Sequence, residues 1–358
     1  MNVNDRIDLV SQVGEEIIQE DELQSLLSAN EPVIAYDGFE PSGQIHIAQG
    51  LLKAINVNKM IKAGIRFKML VADWHAWANN KMGGDLEKIQ TTGRYFIEVW
   101  KACGMNMDGV EFVWASDLVK DDAYWKLVLQ IARTNTLRRF IRTAEIMGRD
   151  ESMDLTAAQI IYPCMQCADI FMLKAKVAQL GMDQRKVNVL AREIGMQLGY
   201  WKPVIVSHHM LMGLSAPGEG GENKVERTIA LKMSKSKPDS AIFMTDTLED
   251  IKRKINKAYC PEGIVEENPV LEYCKYILFE KFNSITIERP EKFGGTITVR
   301  SYKELEQKFG NKDIHPMDLK QAVVLLLDTL ITPVRRHFEE NAEAKALLEQ
   351  VRSFQITR

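Results

Sequence analysis

Short runs of consecutive apolar residues alternate with segments of helical spacing over most of the chain before residue 246. Ile47, Leu51 and Ile55 recur at every fourth position, which is typical of an amphipathic helix, and residues 85–103 are helical as well. The apolar runs predict buried strands at residues 32–36, 67–72, 110–115, 176–180 and 203–206. This alternation predicts an α/β fold, a doubly wound parallel sheet with helices on both faces.

The pattern changes after residue 246, where strands and helices no longer alternate. Residues 247–282 and 316–352 have helical spacing, and residues 285–298 contain short strand-like runs around a Gly-Gly pair. We therefore predict two domains. The first is an α/β domain at residues 1–245, and the second is a mainly helical domain at residues 246–358.

The first 30 residues have the pattern of one or two amphipathic helices that end near Asn30. They carry acidic residues and no long apolar stretch, so they do not resemble a cleaved signal peptide. No apolar run approaches the roughly 20 residues that a membrane-spanning helix needs. We expect a protein without a membrane partner.

Composition and cysteine use favour a soluble protein of the cytoplasm. The chain has 358 residues, of which 46% are hydrophobic and 27% charged, as in ordinary globular proteins. Its five cysteines are odd in number and scattered, so they do not form a disulfide framework, and a reducing compartment fits best. Cys164 and Cys167 form a C-x-x-C pair without a second ligand pair nearby. We interpret them as packing thiols in a helix and predict no protein-bound metal site.

Two segments can hold an anion. At residues 41–49 a Pro-Ser-Gly turn opens a helix, where free backbone N–H groups attract phosphate, Gly43 allows close approach and His46 can donate a hydrogen bond. At residues 232–236, Lys232 and Lys235 flank Ser234 after a Gly-rich segment, and two such lysines can neutralise a leaving pyrophosphate. The alternatives are an ordinary turn with a surface histidine and a solvated basic loop.

A third group of polar residues lies on one face of a predicted helix. Tyr162, Gln166 and Asp169 are spaced four and three residues apart, and Gln184 follows the end of a later strand. A solvent-facing edge would also give a polar stripe. The neighbouring Pro, Met and Cys residues favour the wall of a pocket.

These segments together resemble a known family. Residues 41–49 resemble the HIGH element and residues 232–236 match the KMSKS element of class I aminoacyl-tRNA synthetases, although Ala48 and Gln49 occupy positions where Gly and His are usual. The polar helix face, with Tyr36, residues 72–76 and residues 315–320, resembles the tyrosyl-tRNA synthetases of archaea and of the eukaryotic cytoplasm. The resemblance extends over residues 30 to 340. It implies a Rossmann-like catalytic domain followed by a helical anticodon-binding domain.

The resemblance also implies an activity, a tyrosine–tRNA ligase reaction with ATP and Mg²⁺ as the substrate complex, tRNA(Tyr) as the second substrate, and a homodimer in the cytoplasm. The residues implied for L-tyrosine are Tyr36, Asp73, His75, Tyr162, Gln166, Asp169 and Gln184. Those implied for ATP are Gly43, His46, Gln49, Lys232, Ser234 and Lys235, with His46, Lys232 and Lys235 catalytic. Those implied for tRNA are Arg185, Lys186, Phe293, His315 and Asp318.

Two rival interpretations remain at this point. A tryptophanyl-tRNA synthetase has the same signatures, but Tyr36 and Asp169 fit a substrate hydroxyl better than an indole. A non-catalytic RNA-binding relative would not need an intact KMSKS element. The basic stretch from Arg133 to Arg149 is a candidate RNA contact, or alternatively a solvated helix face.

Overall fold

The computed structural model describes residues 1–29, 31–143, 154–218, 224–233 and 238–354. Three of the features predicted from sequence lie outside these ranges. They are Ser234 and Lys235 of the KMSKS element, Arg149 of the basic stretch, and residues 219–223 of the Gly-rich segment.

A mostly parallel sheet forms the centre of the molecule. Within the described residues its strands are β1 (Gly14–Ile18), β2 (Ile34–Phe39), β3 (Arg66–Val71), β4 (Val110–Trp114), β5 (Val177–Gly181) and β6 (Val204–His208). Their order across the sheet is β1-β6-β5-β2-β3-β4. Only β1 is antiparallel to its neighbour among these paired strands. The predicted parallel sheet is therefore confirmed.

Helices precede, connect and follow these strands in the part of the chain before residue 246. They are α1 (Val3–Ser11), α2 (Glu20–Ser28), α3 (Lys53–Lys62), α4 (Asp73–Ala78), α5 (Leu86–Ala102), α6 (Ala115–Leu118), α7 (Asp122–Thr134), α8 (Leu137–Thr143), α9 (Ala157–Met172), α10 (Arg185–Gly195) and α11 (Lys224–Leu231). Several begin at side-chain caps. Thr156, for example, accepts from Gln159 N at the start of α9, and Gln159 caps Thr156 in return.

The prediction for the first 30 residues was partly wrong, because β1 lies between two helices. Its five residues are all half-buried, so the segment shows no clean alternation of apolar and polar positions. What makes it a strand is pairing with the edge of β6, for example Ile17 opposite Val206. That partner is distant in the sequence, so local spacing could not reveal it.

Strands β2, β3, β4 and β5 contribute to two apolar cores because successive side chains point to opposite faces of the sheet. Ala35, Phe67 and Met69 belong to the core beneath α3 and α5. Tyr36 and Leu70, one position further along β2 and β3, belong to the core beneath α7, α9 and α10. Tyr36 thereby faces α9, which carries the predicted pocket residues.

After residue 246 the chain is mainly helical. Its helices are α12 (Leu248–Lys257), α13 (Pro269–Tyr273), α14 (Phe279–Lys281), α15 (Tyr302–Gly310), α16 (Pro316–Glu340) and α17 (Ala342–Ser353), and its hairpin is β7 (Ile285–Ile287) with β8 (Ile297–Val299). The helical prediction for residues 247–282 was confirmed at both ends of the range and was wrong between Lys257 and Asn268. The chain leaves the helix after Lys257 and begins α13 only where Asn268 caps the N–H groups of Val270 and Leu271. The domain boundary at residue 246 remains a prediction.

No helix in the described part of the chain is both long and apolar enough to cross a membrane.

Candidate active site

A cavity of about 660 Å³ opens at the carboxyl ends of β2, β3, β5 and β6, where ligands bind in open α/β sheets. Its inner half is lined by Tyr36, Leu70, Ala72, His75, Tyr162, Gln166 and Asp169. Its outer half is lined by Ser42, His46, Gln49, Lys53, Asp183, His208, His209 and Lys232, among others. The fold thus brings residues from the three predicted segments to one cavity.

Asp169 is the centre of the inner half and is 1% exposed. The hydroxyl of Tyr124 donates to its Oδ1 at 2.9 Å, and Nε2 of His75 lies 2.9 Å from its Oδ2. Burial opposes the charged form of His75, but the carboxylate of Asp169 outweighs burial and raises the pKa of the imidazole. Burial, reinforced by the charge of Asp169, also raises the pKa of Tyr36 well above its usual value, so this phenol stays protonated.

The amide groups of the inner half lie on the same side of α9 as Asp169. Nε2 of Gln166 donates to Oε1 of Gln184 at 3.1 Å, which joins α9 to the turn after β5. Oε1 of Gln166 is buried and has no hydrogen-bond partner within the described ranges. Burial and the nearby Glu40 raise the pKa of Tyr162 well above its usual value. These groups offer a carbonyl oxygen, a phenol and a carboxylate to a cation.

Asp73 does not lie at the cavity, contrary to the expectation from the resemblance. Its carboxylate is fully buried at the start of α4 and accepts from the backbone N–H groups of Trp74 and Ser116, at 3.0 and 2.9 Å. Nε2 of Gln90 donates to its other oxygen at 2.9 Å. With these three partners Asp73 holds α4, and hence His75, in place.

The HIGH-like segment enters its helix through a π-turn at Ala48–Leu52. The wider turn directs the backbone carbonyl of Gln49 outward, where Nε1 of Trp100 donates to it at 2.7 Å. Oε1 of Gln49 is buried without a partner among the described residues. Gly50 is required here, because a Cβ would approach Cγ of Met244 to 2.5 Å. The segment is therefore packed directly against the chain that follows the KMSKS element.

His46 and Gly43 have different positions relative to the cavity. His46 lines it and pairs through its backbone with Phe243, while the neighbouring Ile47 N donates to Ile242 O at 2.8 Å. Gly43 does not line the cavity. Its φ of 67° shows that glycine forms the turn that delivers His46.

Charged side chains alternate across the outer half. Nζ of Lys232 contacts Oδ2 of Asp183 at 2.8 Å, and Lys53 forms a buried ion pair with Asp37. Burial lowers the pKa of Lys53, and the Asp183 carboxylate opposes that shift. Burial likewise lowers the pKa of His208 well below its usual value, so this imidazole is neutral beside the lysine. Of the KMSKS element, Lys232 and Met233 lie within the described residues, and both line the cavity.

The residues predicted to contact tRNA do not line the cavity, although Arg185 and Lys186 directly follow Gln184, which does. Arg185 forms a bidentate pair with Glu16, at 2.6 and 3.0 Å, and Lys186 beside it is exposed. Phe293 is 61% exposed on the turn between β7 and β8, and His315 caps α16 one turn from Asp318.

Arg289 connects the turn that bears Phe293 to the segment that precedes His315. Its Nε donates to Gly295 O and its Nη1 to Asp313 O, so the turn bearing Phe293 lies beside the start of α16. The structure therefore brings Phe293 and His315 into one exposed region.

Cys164 and Cys167 are both buried within α9, and Sγ of Cys167 contacts the carbonyl oxygen of Val187 at 3.7 Å. Burial raises the pKa of both thiols, so neither is a thiolate at neutral pH. Their interpretation as packing thiols is confirmed.

Comparison with known proteins identifies the family. The family of class I tRNA synthetases specific for tryptophan and tyrosine matches residues 28–331. Tyrosine–tRNA ligase 1, cytoplasmic, from Arabidopsis thaliana is 52% identical over 99% of this chain and 90% of that protein. The chain belongs to the class I tyrosyl-tRNA synthetases.

Solved structures of this family have the same fold. The tyrosyl-tRNA synthetase of Pyrococcus horikoshii complexed with L-tyrosine has a TM-score of 0.91 at 39% identity, covering 98% of this chain and all (100%) of that one. The Leishmania major enzyme in complex with tyrosinol has a TM-score of 0.90 at 46% identity, covering 99% of this chain. This chain spans about half of the Leishmania major chain, 53% of its length.

Tyr124, Glu40 and Lys53 are among the residues of this synthetase's cavity region that sequence reasoning missed. Tyr124 was hidden because α7 is amphipathic and its buried tyrosine resembles an ordinary core residue. Glu40, which contacts Asn79 and Lys81, precedes the Pro-Ser-Gly turn and resembles a surface acid. Lys53 continues the face of His46 and Gln49 at helical spacing, and that signal was available.

Proposed function

We propose that this cavity activates L-tyrosine with ATP and then transfers the tyrosyl group to the 3′-terminal ribose of tRNA(Tyr). A carboxylate oxygen of tyrosine attacks the α-phosphorus, the bond to the bridging oxygen breaks, and pyrophosphate leaves. A ribose hydroxyl then attacks the carbonyl carbon of the adenylate, loses its proton and displaces AMP. No side chain forms a covalent bond, so catalysis rests on positioning and charge stabilisation.

The observation that carries the substrate assignment is the buried carboxylate of Asp169 between Tyr124 and His75. In our proposal the substrate phenol enters the inner half of the cavity, and its hydroxyl donates a hydrogen bond to the carboxylate of Asp169, beside the protonated Tyr36. A substrate without that hydroxyl would leave the carboxylate incompletely paired, which costs about 1–3 kcal/mol. An indole can donate one hydrogen bond but is wider than a phenol, which favours tyrosine over tryptophan.

We assign the substrate α-ammonium group to Tyr162, Gln166 and Gln184. The unpartnered Oε1 of Gln166 and the acidic Glu40 near Tyr162 support this, because both favour a cation. His75 remains a pocket residue through its contact with Asp169. Asp73 takes a structural role in this proposal, since its carboxylate already accepts three hydrogen bonds and does not line the cavity.

We assign ATP to the outer half. His46 and Gln49 on the HIGH-like segment would contact the phosphates or ribose, and the turn at Gly43 would set their direction. Lys232, with Ser234 and Lys235 beyond the described residues, would neutralise the departing pyrophosphate, a contribution of about 10²–10³ in rate for a single well-placed group. The contact of Lys232 with Asp183 supports this, because it keeps the ammonium group at the cavity.

Mg²⁺ would enter with ATP and be held mainly by phosphate oxygens. Within the described ranges no group of three or more His, Cys, Asp or Glu side chains could hold a metal ion. The absence of a resident metal remains a prediction.

For tRNA we propose two contact regions. Phe293, His315 and Asp318 form the exposed region next to Arg289 and would read the anticodon. Arg185 and Lys186 follow Gln184 directly, at the edge of the cavity, where the acceptor end must arrive. Arg185 pairs with Glu16, Lys186 is exposed beside it, and we propose both side chains as phosphate contacts.

We also propose a homodimer in the cytoplasm. Large apolar side chains are exposed on α9 and on α4, α7 and α8, which contact α9, and such a group of exposed apolar residues is a candidate interface. They are Trp77, Leu129, Leu137 and Ile161. All five cysteines lie in described residues and are unbonded and buried, as expected in a reducing compartment.

Exchange of labelled pyrophosphate into ATP tests the activity. We expect exchange with tyrosine, little with phenylalanine and none with tryptophan, and we expect EDTA to abolish it until Mg²⁺ is restored. Exchange with tryptophan alone would contradict the substrate assignment. No exchange with any amino acid would favour the non-catalytic RNA-binding relative.

A further inference from the structure

His209 follows β6 directly and joins three distant parts of the chain. Its Nδ1 lies 3.1 Å from Oε2 of Glu15 on β1, and its Nε2 lies 3.1 Å from Oε2 of Glu272 on α13. The ring also stacks on Tyr276, with centroids 4.1 Å apart and planes 10° from parallel. Its side chain is only 14% exposed, so both carboxylates act on it in a poorly solvated place.

Glu272 connects this histidine to the KMSKS element. The same Oε2 that faces His209 accepts from Met212 N at 2.9 Å. Met212 pairs with Lys232 in an antiparallel bridge, and Met233 N donates to Leu211 O at 2.9 Å. Residues 209–213 are therefore held in place through His209 and Glu272. The same segment pairs through its backbone with Lys232 and Met233.

A second contact between a histidine and a glutamate serves as a comparison for the contacts of His209. Nε2 of His337 on α16 lies 2.9 Å from Oε2 of Glu98 on α5, with similar side-chain exposure of 25% and 18%. That pair also joins segments that are distant along the chain. It does not line the cavity, whereas His209 and the neighbouring Met210 and Leu211 do.

We propose that His209 and Glu272 are positioning residues for the first reaction step, which hold residues 209–213 so that Lys232 reaches the triphosphate. The inference rests on the proposed function, since it assumes that Lys232 acts on ATP. Neither side chain has to touch a reacting atom. Their effect is on the placement of the Lys232 ammonium group.

We call the contacts of His209 with Glu15 and Glu272 the imidazolium clamp. The clamp depends on pH because it needs the charged form of His209. The groups that face His209 are Glu15 from β1, Glu272 and Tyr276 from the helical segment, and the preceding His208 at the end of β6. Lys275 lies over the Tyr276 ring. Burial opposes protonation, but the two carboxylates outweigh it and raise the pKa of His209 to about 9. The imidazolium clamp is therefore complete near pH 6.5 and is lost as the pH rises through about 9.

The test compares His209→Gln, Glu272→Ala and Glu272→Gln with the matched control His337→Gln, in the full chain. For His209→Gln and Glu272→Ala we expect kcat of tyrosine-dependent pyrophosphate exchange to fall about tenfold, less than the roughly 100-fold that a 1 Å misplacement can cost. The KM for ATP should rise, while tyrosine affinity should stay within about twofold, because the inner half is separate. Glu272→Gln can still accept from Met212 N and should recover part of the loss. His337→Gln should retain wild-type kinetics.

A pH series from 6.5 to 9.5 adds a readout that a purely structural role would not change. The alkaline fall in kcat near pH 9 should be present in the wild-type protein and His337→Gln and flattened in His209→Gln. Kinetics of His209→Gln and Glu272→Ala within about twofold of wild type would overturn the inference, as would equal loss of tyrosine and ATP affinity. If His209→Gln does not fold, Glu272→Ala and Glu272→Gln decide the same question. Absence of exchange in the wild-type protein would instead reject the proposed function itself.

Discussion

The hydroxyl of Tyr124 on α7 donates a 2.9 Å hydrogen bond to Oδ1 of Asp169 on α9. Both residues are almost completely buried, at 0% and 1% exposure. Tyr124 does not line the cavity, so it acts on a substrate only through the carboxylate that it orients. The carboxylate of Asp169 still has lone pairs available to a ligand in the cavity. The hydrogen bond from Tyr124 orients this carboxylate before any ligand enters.

Replacement of Tyr124 by Phe should therefore weaken tyrosine activation without removing any atom from the cavity. Loss of this hydrogen bond to a buried carboxylate should cost about 1–3 kcal/mol of unfolding free energy. Urea unfolding and the KM for tyrosine measure the two effects. The control is Tyr273→Phe, because that buried hydroxyl has no partner among the described residues. A control that loses as much as Tyr124→Phe would show that the hydrogen bond is not the cause.

Replacement of Asp169 by Asn keeps the shape of the side chain and removes its charge. We expect kcat/KM for tyrosine to fall about 10- to 100-fold, the equivalent of a hydrogen bond to a charged group. The KM for ATP should change by less than about twofold, because the outer half is unchanged. Pyrophosphate exchange with each substrate varied in turn gives both numbers. Equal losses for tyrosine and ATP would show that the inner half is misassigned.

The contact of His75 with Asp169 should make stability depend on pH. Because the folded-state pKa of His75 is raised above 6.5, its stabilising charge is fully present below about pH 6.5 and lost as the pH rises through the folded-state pKa. A tenfold difference in proton affinity between the folded and unfolded states is worth about 1.4 kcal/mol. The difference in unfolding free energy between the wild-type protein and His75→Gln should therefore shrink from pH 6 to pH 9. A constant difference over that range would refute the imidazolium assignment.

Removal of one partner of the Asp37–Lys53 ion pair should lower the free energy of unfolding more than replacement of both partners by apolar residues. Lys53→Met leaves Asp37 buried at 3% side-chain exposure without its cation, which should cost about 3–5 kcal/mol. The double change Asp37→Leu with Lys53→Met should recover most of that loss. Chemical denaturation of the two variants and the wild-type protein measures it. A double variant less stable than Lys53→Met would show that the pair itself, and not an uncompensated charge, maintains the site.

Replacement of Asp318 by Ala should separate the two halves of the reaction. Asp318 lies in the first turn of α16, far from the cavity in the sequence and absent from its lining. Adenylate formation should be unchanged, while aminoacylation of tRNA(Tyr) should fall about tenfold, the loss expected for one specific base contact. Glu343→Ala is the control, because Glu343 also occupies a first helical turn, that of α17. Unchanged aminoacylation would remove the anticodon role.

The elements with their own local pattern were predicted well. Strands β3, β5 and β6 are mostly or wholly buried, so the short apolar runs within them are visible in the sequence without their partners. The spacing of Tyr162, Gln166 and Asp169 placed them on one face of α9 for the same local reason. Strand β1 and the break before α13 could not be read in this way, since a distant edge and a capping asparagine decide them.

By itself the sequence determined the fold class, the two segments proposed to hold ATP and the helix face that lines the cavity, because each depends on periodicity or a short motif. Tertiary structure decided which polar groups act together. It moved Asp73 from the cavity to a structural position, added Tyr124 behind Asp169, and joined His209 and Glu272 to Lys232. Such partnerships depend on distances between segments that are remote along the chain, and local spacing carries no information about those distances.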